Sequence, residues 1–205
     1  MRTYAFPTIF LTAALAVVTA WQGAQAPRTD GNAVLRGAID IHVHTEPDSR
    51  PRSVDGVEAA QQARANGMRA IVLKNHYEYT SGLAYIVGKQ VQGIEVFGGV
   101  DLNLTVGGMN PAAIEYMAAT TGARGKLVWM STFDAENQVR FSKENRPFVS
   151  VSKNGELLPA TKAVIAAIAK HGLVLATGHT SPRKVSCSYA RQSDRVFSIS
   201  WSPTR

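Results

Sequence analysis

Five residues, Asp40-Ile41-His42-Val43-His44, carry the clearest chemistry in this chain. In an extended segment, residues two apart share a face, so His42 and His44 project together. Two imidazoles on one face can chelate a single cation, and imidazole suits zinc and its neighbours. A third protein ligand beside an open position would make such a site catalytic. Lys74 and His76 repeat the spacing. A lysine held at a strand end is costly unless it is paired, has its pKa lowered, or is carbamylated into a metal-bridging anion. His179, in Thr177-Gly178-His179-Thr180-Ser181, supplies a third imidazole, and Gly178 permits the turn that brings it over the site. The expected metal set is therefore His42, His44, His179 and Lys74. His76, Asp101, Asn103, Glu46 and Asp48 are candidates for orienting a ligand or touching substrate. His171 beside Gly172 reads instead as a helix C-terminal cap.

These residues need elements to hold them, and the apolar pattern supplies a strand-helix rhythm. Strands are expected at 38–43, 69–74, 94–100, 126–130 and 173–177, each short and rich in β-branched or apolar residues. Ile39, Ile41 and Val43 would face the helices. Helices are expected at about 53–66, capped by Ser53 with Gly67 as terminator, at 111–120 behind Asn110-Pro111, and at 158–170. Residues 133–156 read as polar and irregular, with Asn154-Gly155 marking a small hairpin. Trp129 and Met130 are expected to pack between sheet and helices. Such alternation implies a parallel sheet flanked by helices. No Gly-x-Gly-x-x-Gly follows the first strand, so a dinucleotide fold has no support. Polar residues gather at strand C-terminal ends, where (β/α) barrels build their sites.

Composition bounds the rest. Residues 1–26 carry Arg2, an apolar run and Ala24-Gln25-Ala26, the pattern of a cleaved export signal too short to span a bilayer. The protein is expected to be exported, periplasmic or secreted, with no stable membrane anchor after cleavage. Net charge is +7, but Arg183, Lys184, Arg191, Arg195 and Arg205 sit in the last segment against Asp194 alone. That leaves the body near balance and gives no reason to expect a nucleic-acid partner. Cys187 is the only cysteine, so no intrachain disulfide forms.

Asp-Ile-His-Val-His at the end of the first strand resembles the opening of amidohydrolase-type metal-dependent hydrolases. Val72-Leu73-Lys74-Asn75-His76-Tyr77 and Thr177-Gly178-His179-Thr180-Ser181 look like an uncharacterised bacterial branch of that superfamily. The resemblance implies a distorted TIM-like (β/α) barrel, one or two divalent ions (Zn²⁺, with Mn²⁺ as the other choice), and water attacking an amide, ester or lactone of a small molecule. It matches His42, His44 and His179 to ligand positions. The carbamylated lysine of the superfamily usually comes from strand four, whereas Lys74 lies on strand two. The late aspartate that often serves as general base has no counterpart, so no catalytic residue is assigned. His-Val-His-Thr also resembles the first motif of polymerase-and-histidinol-phosphatase phosphoesterases, but Glu46-Pro47-Asp48 stands where Ser-Asp-Gly usually follows. A metal-dependent decarboxylase and a non-catalytic metal-binding remnant are also compatible with these residues.

A closed barrel needs about 250 residues, and this chain shows about five β/α units. Residues 183–205 lose the strand-helix pattern and read as an aberrant or disordered basic tail, the mark of a frame shift or truncation. The expected organisation is a signal peptide at 1–26, a partial barrel at 27–182, and that tail.

Overall fold

The computed structural model describes residues 31–181. The expected signal peptide and the segment 183–205, with Cys187, lie outside the described residues.

Helix α1 (Gly31–Leu35) precedes strand β1 (Ile39–Val43), followed by α2 (Gly56–Ala65), β2 (Ala70–Leu73), α3 (Ser81–Gln90) and β3 (Glu95–Asp101). A 3₁₀ turn (Leu104–Val106) leads to α4 (Pro111–Ala119), β4 (Gly125–Trp129) and α5 (Glu136–Phe141). The hairpin β5 (Ser152–Lys153) and β6 (Glu156–Leu157), helix α6 (Pro159–Lys170) and β7 (Val174–Ala176) complete the described chain. Five strands pair in the order β1-β2-β3-β4-β7, all parallel, in a curled sheet that forms a half-barrel.

Period-two alternation sorts each strand between two apolar layers. Ile71, Leu73 and Val96 face outward onto Ala59, Ala60 and Ala63 of α2 and Ala84 and Val87 of α3. Val100, Val128 and Met130 face outward onto Ile114 and Met117 of α4 and Val164 and Ile168 of α6. Ala70, Val72, Phe97, Leu127 and Trp129 form the inner layer, with Ile39, Val174 and Ala176 against them. Each fully buried Val, Leu or Ile in these layers contributes about 1.5–3 kcal/mol relative to exposure.

Local signals explain most boundaries, with corrections. Asp55, not Ser53, caps α2: its side chain accepts from the Glu58 amide while Glu58 returns a bond to the Asp55 amide. Asn110 caps α4 ahead of Pro111. His171 is the C-cap of α6, and its Nε2 lies 2.6 Å from Glu115 Oε2. Asn154 and Gly155 turn the hairpin with φ of 52° and 81°. Helix α3 was not expected: it is apolar with glycines inside, and Thr80 makes no side-chain cap bond. Its stability comes from packing on β2 and β3, which local propensity does not reveal. Helix α5 likewise sits in the stretch expected to be irregular.

The largest correction concerns β1. Its register against β2 shifts between Asp40 and Val43, because Ile39 pairs with Ala70, Asp40 with Ile71, and Val43 with Leu73. One extra residue on β1 resets the alternation. Ile39 therefore joins the inner layer while Val43 packs outward, and Ile41 is 56% exposed at the sheet edge. Three residues expected on one face are divided.

Candidate active site at the strand ends

Despite the bulge, His42 and His44 still share a face. Their rings lie 5.0 Å apart between centroids, and their Nε2 atoms approach to 3.2 Å. Two nitrogens bound to one tetrahedral zinc at 2.0–2.1 Å stand about 3.3 Å apart. Burial lowers the pKa of His44 to about 4, helped by the positive charges of Lys74, His76, Arg52 and His42. His42 is lowered in the same direction, by burial first and then by Lys74. Both rings are thus neutral near pH 7, the form that donates a lone pair to a metal. His44 Nδ1 is buried and makes no hydrogen bond among the described residues.

Strand β2 delivers Lys74 and His76 to the same end of the half-barrel. Lys74 is 1% exposed, and its Nζ donates to Asp101 Oδ2, at the end of β3, over 2.6 Å. Burial pushes its pKa down, while the charge and hydrogen bond of Asp101 work against that. Its ammonium also lies 5.1 Å from the ring centre of Trp129. His76 Nδ1 lies 3.1 Å from both Asp101 Oδ2 and Thr132 Oγ1. The carboxylate is the strongest acceptor there, so we assign the proton to Nδ1, which leaves Nε2 with its lone pair. Thr132 Oγ1 donates to Asp101 Oδ2 over 3.0 Å, giving that oxygen a third donor, while Oδ1 is buried without a partner among the described residues.

Asn103, fully buried, ties three strand ends together. Its amide nitrogen donates to the His76 carbonyl at 2.7 Å and to Thr132 Oγ1 at 2.9 Å. Its carbonyl accepts from Ser131 Oγ and from the amides of Thr132 and Asp134, at 2.8, 2.9 and 3.1 Å. Every hydrogen-bonding direction of the side chain is satisfied, so it acts as a positioning residue.

His179 follows β7, held by its backbone amide on the Ser131 carbonyl. Gly178 before it has φ of +57°, and an added Cβ would collide with the carbonyls of Met130 and Ser131. His179 Nδ1 meets Gln138 Oε1 at 3.1 Å, so the ring presents Nε2. Burial, then the charges of Lys74 and His76, lower its pKa against the pull of Asp101.

Glu46 and Asp48 organise the loop after β1. Asp48 is paired with Arg52, whose backbone amide reaches Glu46 Oε1 at 3.3 Å. Burial works to raise the pKa of Asp48, but hydrogen bonds from Arg52 and Ser49 outweigh it and hold the carboxyl low.

The spacing and neutrality of His42 and His44 fit two ligands of one divalent ion. Neither His179 nor Asp101 completes that pair: among the described residues, no three His, Cys, Asp or Glu side chains are disposed to hold a metal. Lys74 is engaged by Asp101. Trp129 lines the inner face 6.3 Å from His42, rather than packing between sheet and helices as expected; Met130 does pack outward. Gly99 permits this, since a Cβ there would strike the Trp129 ring and the Leu127 carbonyl. Ser131 and Thr132 went unnoticed in the sequence although they directly follow β4, where the strand-end rule applied to β1 and β2 would have found them. Phe133, 4.2 Å from His76 between ring centres, was hidden in the stretch expected to be irregular.

A curled parallel half-barrel with a buried polar cluster at its strand C-terminal ends is the class of protein that these features define. The chain belongs to a family of unknown function (DUF6282), whose model matches residues 37–195. No curated protein and no solved structure matches it.

Proposed function

We propose that this chain is a divalent-metal-dependent hydrolase of the amidohydrolase type, built on a TIM-like barrel, exported, and acting on an amide, ester or lactone carbonyl. The observation that carries the reading is the 3.2 Å approach of the His42 and His44 Nε2 atoms at the mouth of the half-barrel. His42 and His44 would hold Zn²⁺ or Mn²⁺; His179, the further ligand that the resemblance implies, would have to move towards them to join. A bound ion of this kind supplies water of lowered pKa and polarises a carbonyl. The chain's own residues then do the positioning. Lys74, His76 and Thr132 fix Asp101 through Oδ2, which leaves Oδ1 as the carboxylate oxygen able to take a proton. Asn103 keeps the ends of β2, β3 and β4 in register around it.

A non-catalytic metal-binding protein is the second reading, favoured because no three His, Cys, Asp or Glu side chains among the described residues are disposed to hold a metal. Metal content of the full chain, measured by elemental analysis, together with turnover of nitrophenyl esters, anilides and lactones, separates the two. The hydrolase reading expects about one ion per chain, its loss in His42→Ala and His44→Ala, and turnover that chelation abolishes. Metal without turnover in a folded sample selects the second reading. No metal uptake sinks both.

A further inference from the structure

Beside the histidine cluster lies a cavity of about 430 Å³ lined by Arg50, Tyr77, Phe133, Gln138, Glu144 and Arg146. It adjoins the cluster at two points. Gln138 holds His179 Nδ1 at 3.1 Å, and the Phe133 ring centre lies 4.2 Å from that of His76. Tyr77 and Phe133 stack 6.2 Å apart at 29°, forming a flat apolar wall.

The two arginines of this cavity differ. Arg146 is fully engaged: it donates to Asp134 Oδ1 at 2.6 Å, to the Phe133 carbonyl at 2.6 Å, and to Glu144. That pairing also neutralises Glu144, the acid of the lining. Arg50 makes no hydrogen bond or ion pair among the described residues. Its guanidinium carbon instead lies 4.3 Å from the Phe133 ring centre, a contact that leaves its N–H groups unpaired. An unpaired guanidinium resting against an apolar wall is suited to a planar anion, which it can grip through two parallel bonds.

We propose that this cavity is a carboxylate-recognising subsite, with Arg50 as its specificity-determining residue. Resting on the hydrolase reading, it defines the substrate class as molecules whose carboxylate sits on a flat, ring-sized body next to the bond that reacts. Tyr77 and Phe133 take the flat body, and Arg50 takes the carboxylate. A cationic or neutral substrate of the same shape would leave Arg50 without a partner.

The test compares benzoate with benzamide, its neutral counterpart of equal size, by ligand-observed NMR titration of the as-purified full chain. Benzoate should bind about tenfold tighter or more, the size expected of charge-assisted hydrogen bonds. Arg50→Gln should erase the difference. Arg50→Lys should keep part of it, because a point charge lacks the two-pronged grip. Arg50 is exposed, so neither variant threatens the fold. Equal binding of the two probes, binding of neither, or a preference that survives Arg50→Gln overturns the proposal. Metal uptake is measured separately on the same preparation. Its failure would remove the hydrolase reading while an Arg50-dependent preference for benzoate would leave the subsite standing.

Discussion

Replacing Asp101 by asparagine keeps the shape of the site but leaves Lys74 buried without a counter-charge. The pair is 2.6 Å apart, with side chains 1% and 0% exposed. At an effective dielectric of about 20, the attraction at that distance is about 6 kcal/mol before desolvation is subtracted. The loss has a ceiling, because the lysine can shed its proton, which at pH 7 costs about 5 kcal/mol from an ordinary pKa near 10.4. Asp101→Asn should therefore cost about 3–5 kcal/mol, as removal of one partner of a buried pair does. In a domain of this size that lowers Tm by roughly 6–20 °C. Urea unfolding followed by tryptophan fluorescence is the assay, since Trp129 lies 5.1 Å from the Lys74 ammonium. The variant should regain stability as pH rises from the lowered pKa of Lys74 towards 10.5, because in that window the unfolded chain binds a proton that the folded chain does not. Lys74→Met with Asp101→Asn should cost less than the two single changes added together. A single variant within about 1 kcal/mol of the parent, or a fully additive double variant, would refute this account of the site.

Two further outcomes rest on the same geometry. His44 titrates at about 4 instead of 6.5, so the unfolded chain takes up a proton on this residue before the folded chain does. Its contribution to stability is present above pH 6.5 and is lost as pH falls towards 4; an imidazole resonance of His44 that titrates at about 6 or above would contradict this. Gly178→Ala forces a left-handed φ on alanine, costing about 1–2 kcal/mol from the backbone alone. It also pushes on the Met130 and Ser131 carbonyls. The His179–Gln138 contact should be lost, visible as a shift of the His179 ring signals, and an unmoved ring with unchanged stability would show the turn to be tolerant.

Much of the scaffold was legible in the sequence because its signals are local. Each of the strands β1, β2, β3, β4 and β7 is a short run rich in β-branched or apolar residues, Asn110-Pro111 marks the start of α4, and Asn154-Gly155 marks the turn between β5 and β6. The parallel arrangement followed from the alternation of strands and helices. Helix α3 escaped because its apolar residues carry no sharp start signal and its packing partners, β2 and β3, are established only in the folded protein. The placement of Trp129 escaped for a similar reason. A large aromatic fits either face of a strand, and the choice fell inward because Gly99 on the neighbouring strand leaves room there.

Residue types and their spacing were enough to say which groups could act and that they would gather at strand ends. A spacing of two in extended backbone puts His42 with His44, and Lys74 with His76. Partnership came from the folded chain. Asp101 lies 27 positions from Lys74, and only the pairing of β2 with β3 brings their ends together in a site dry enough for that charge pair to matter. The bulge in β1 is likewise a product of register against β2, and it divided Ile39, Ile41 and Val43 among three environments that strict alternation would have made one. Arg50 and Phe133, far apart in sequence and inconspicuous in it, meet because the loops after β1 and β4 open at the same end of the half-barrel.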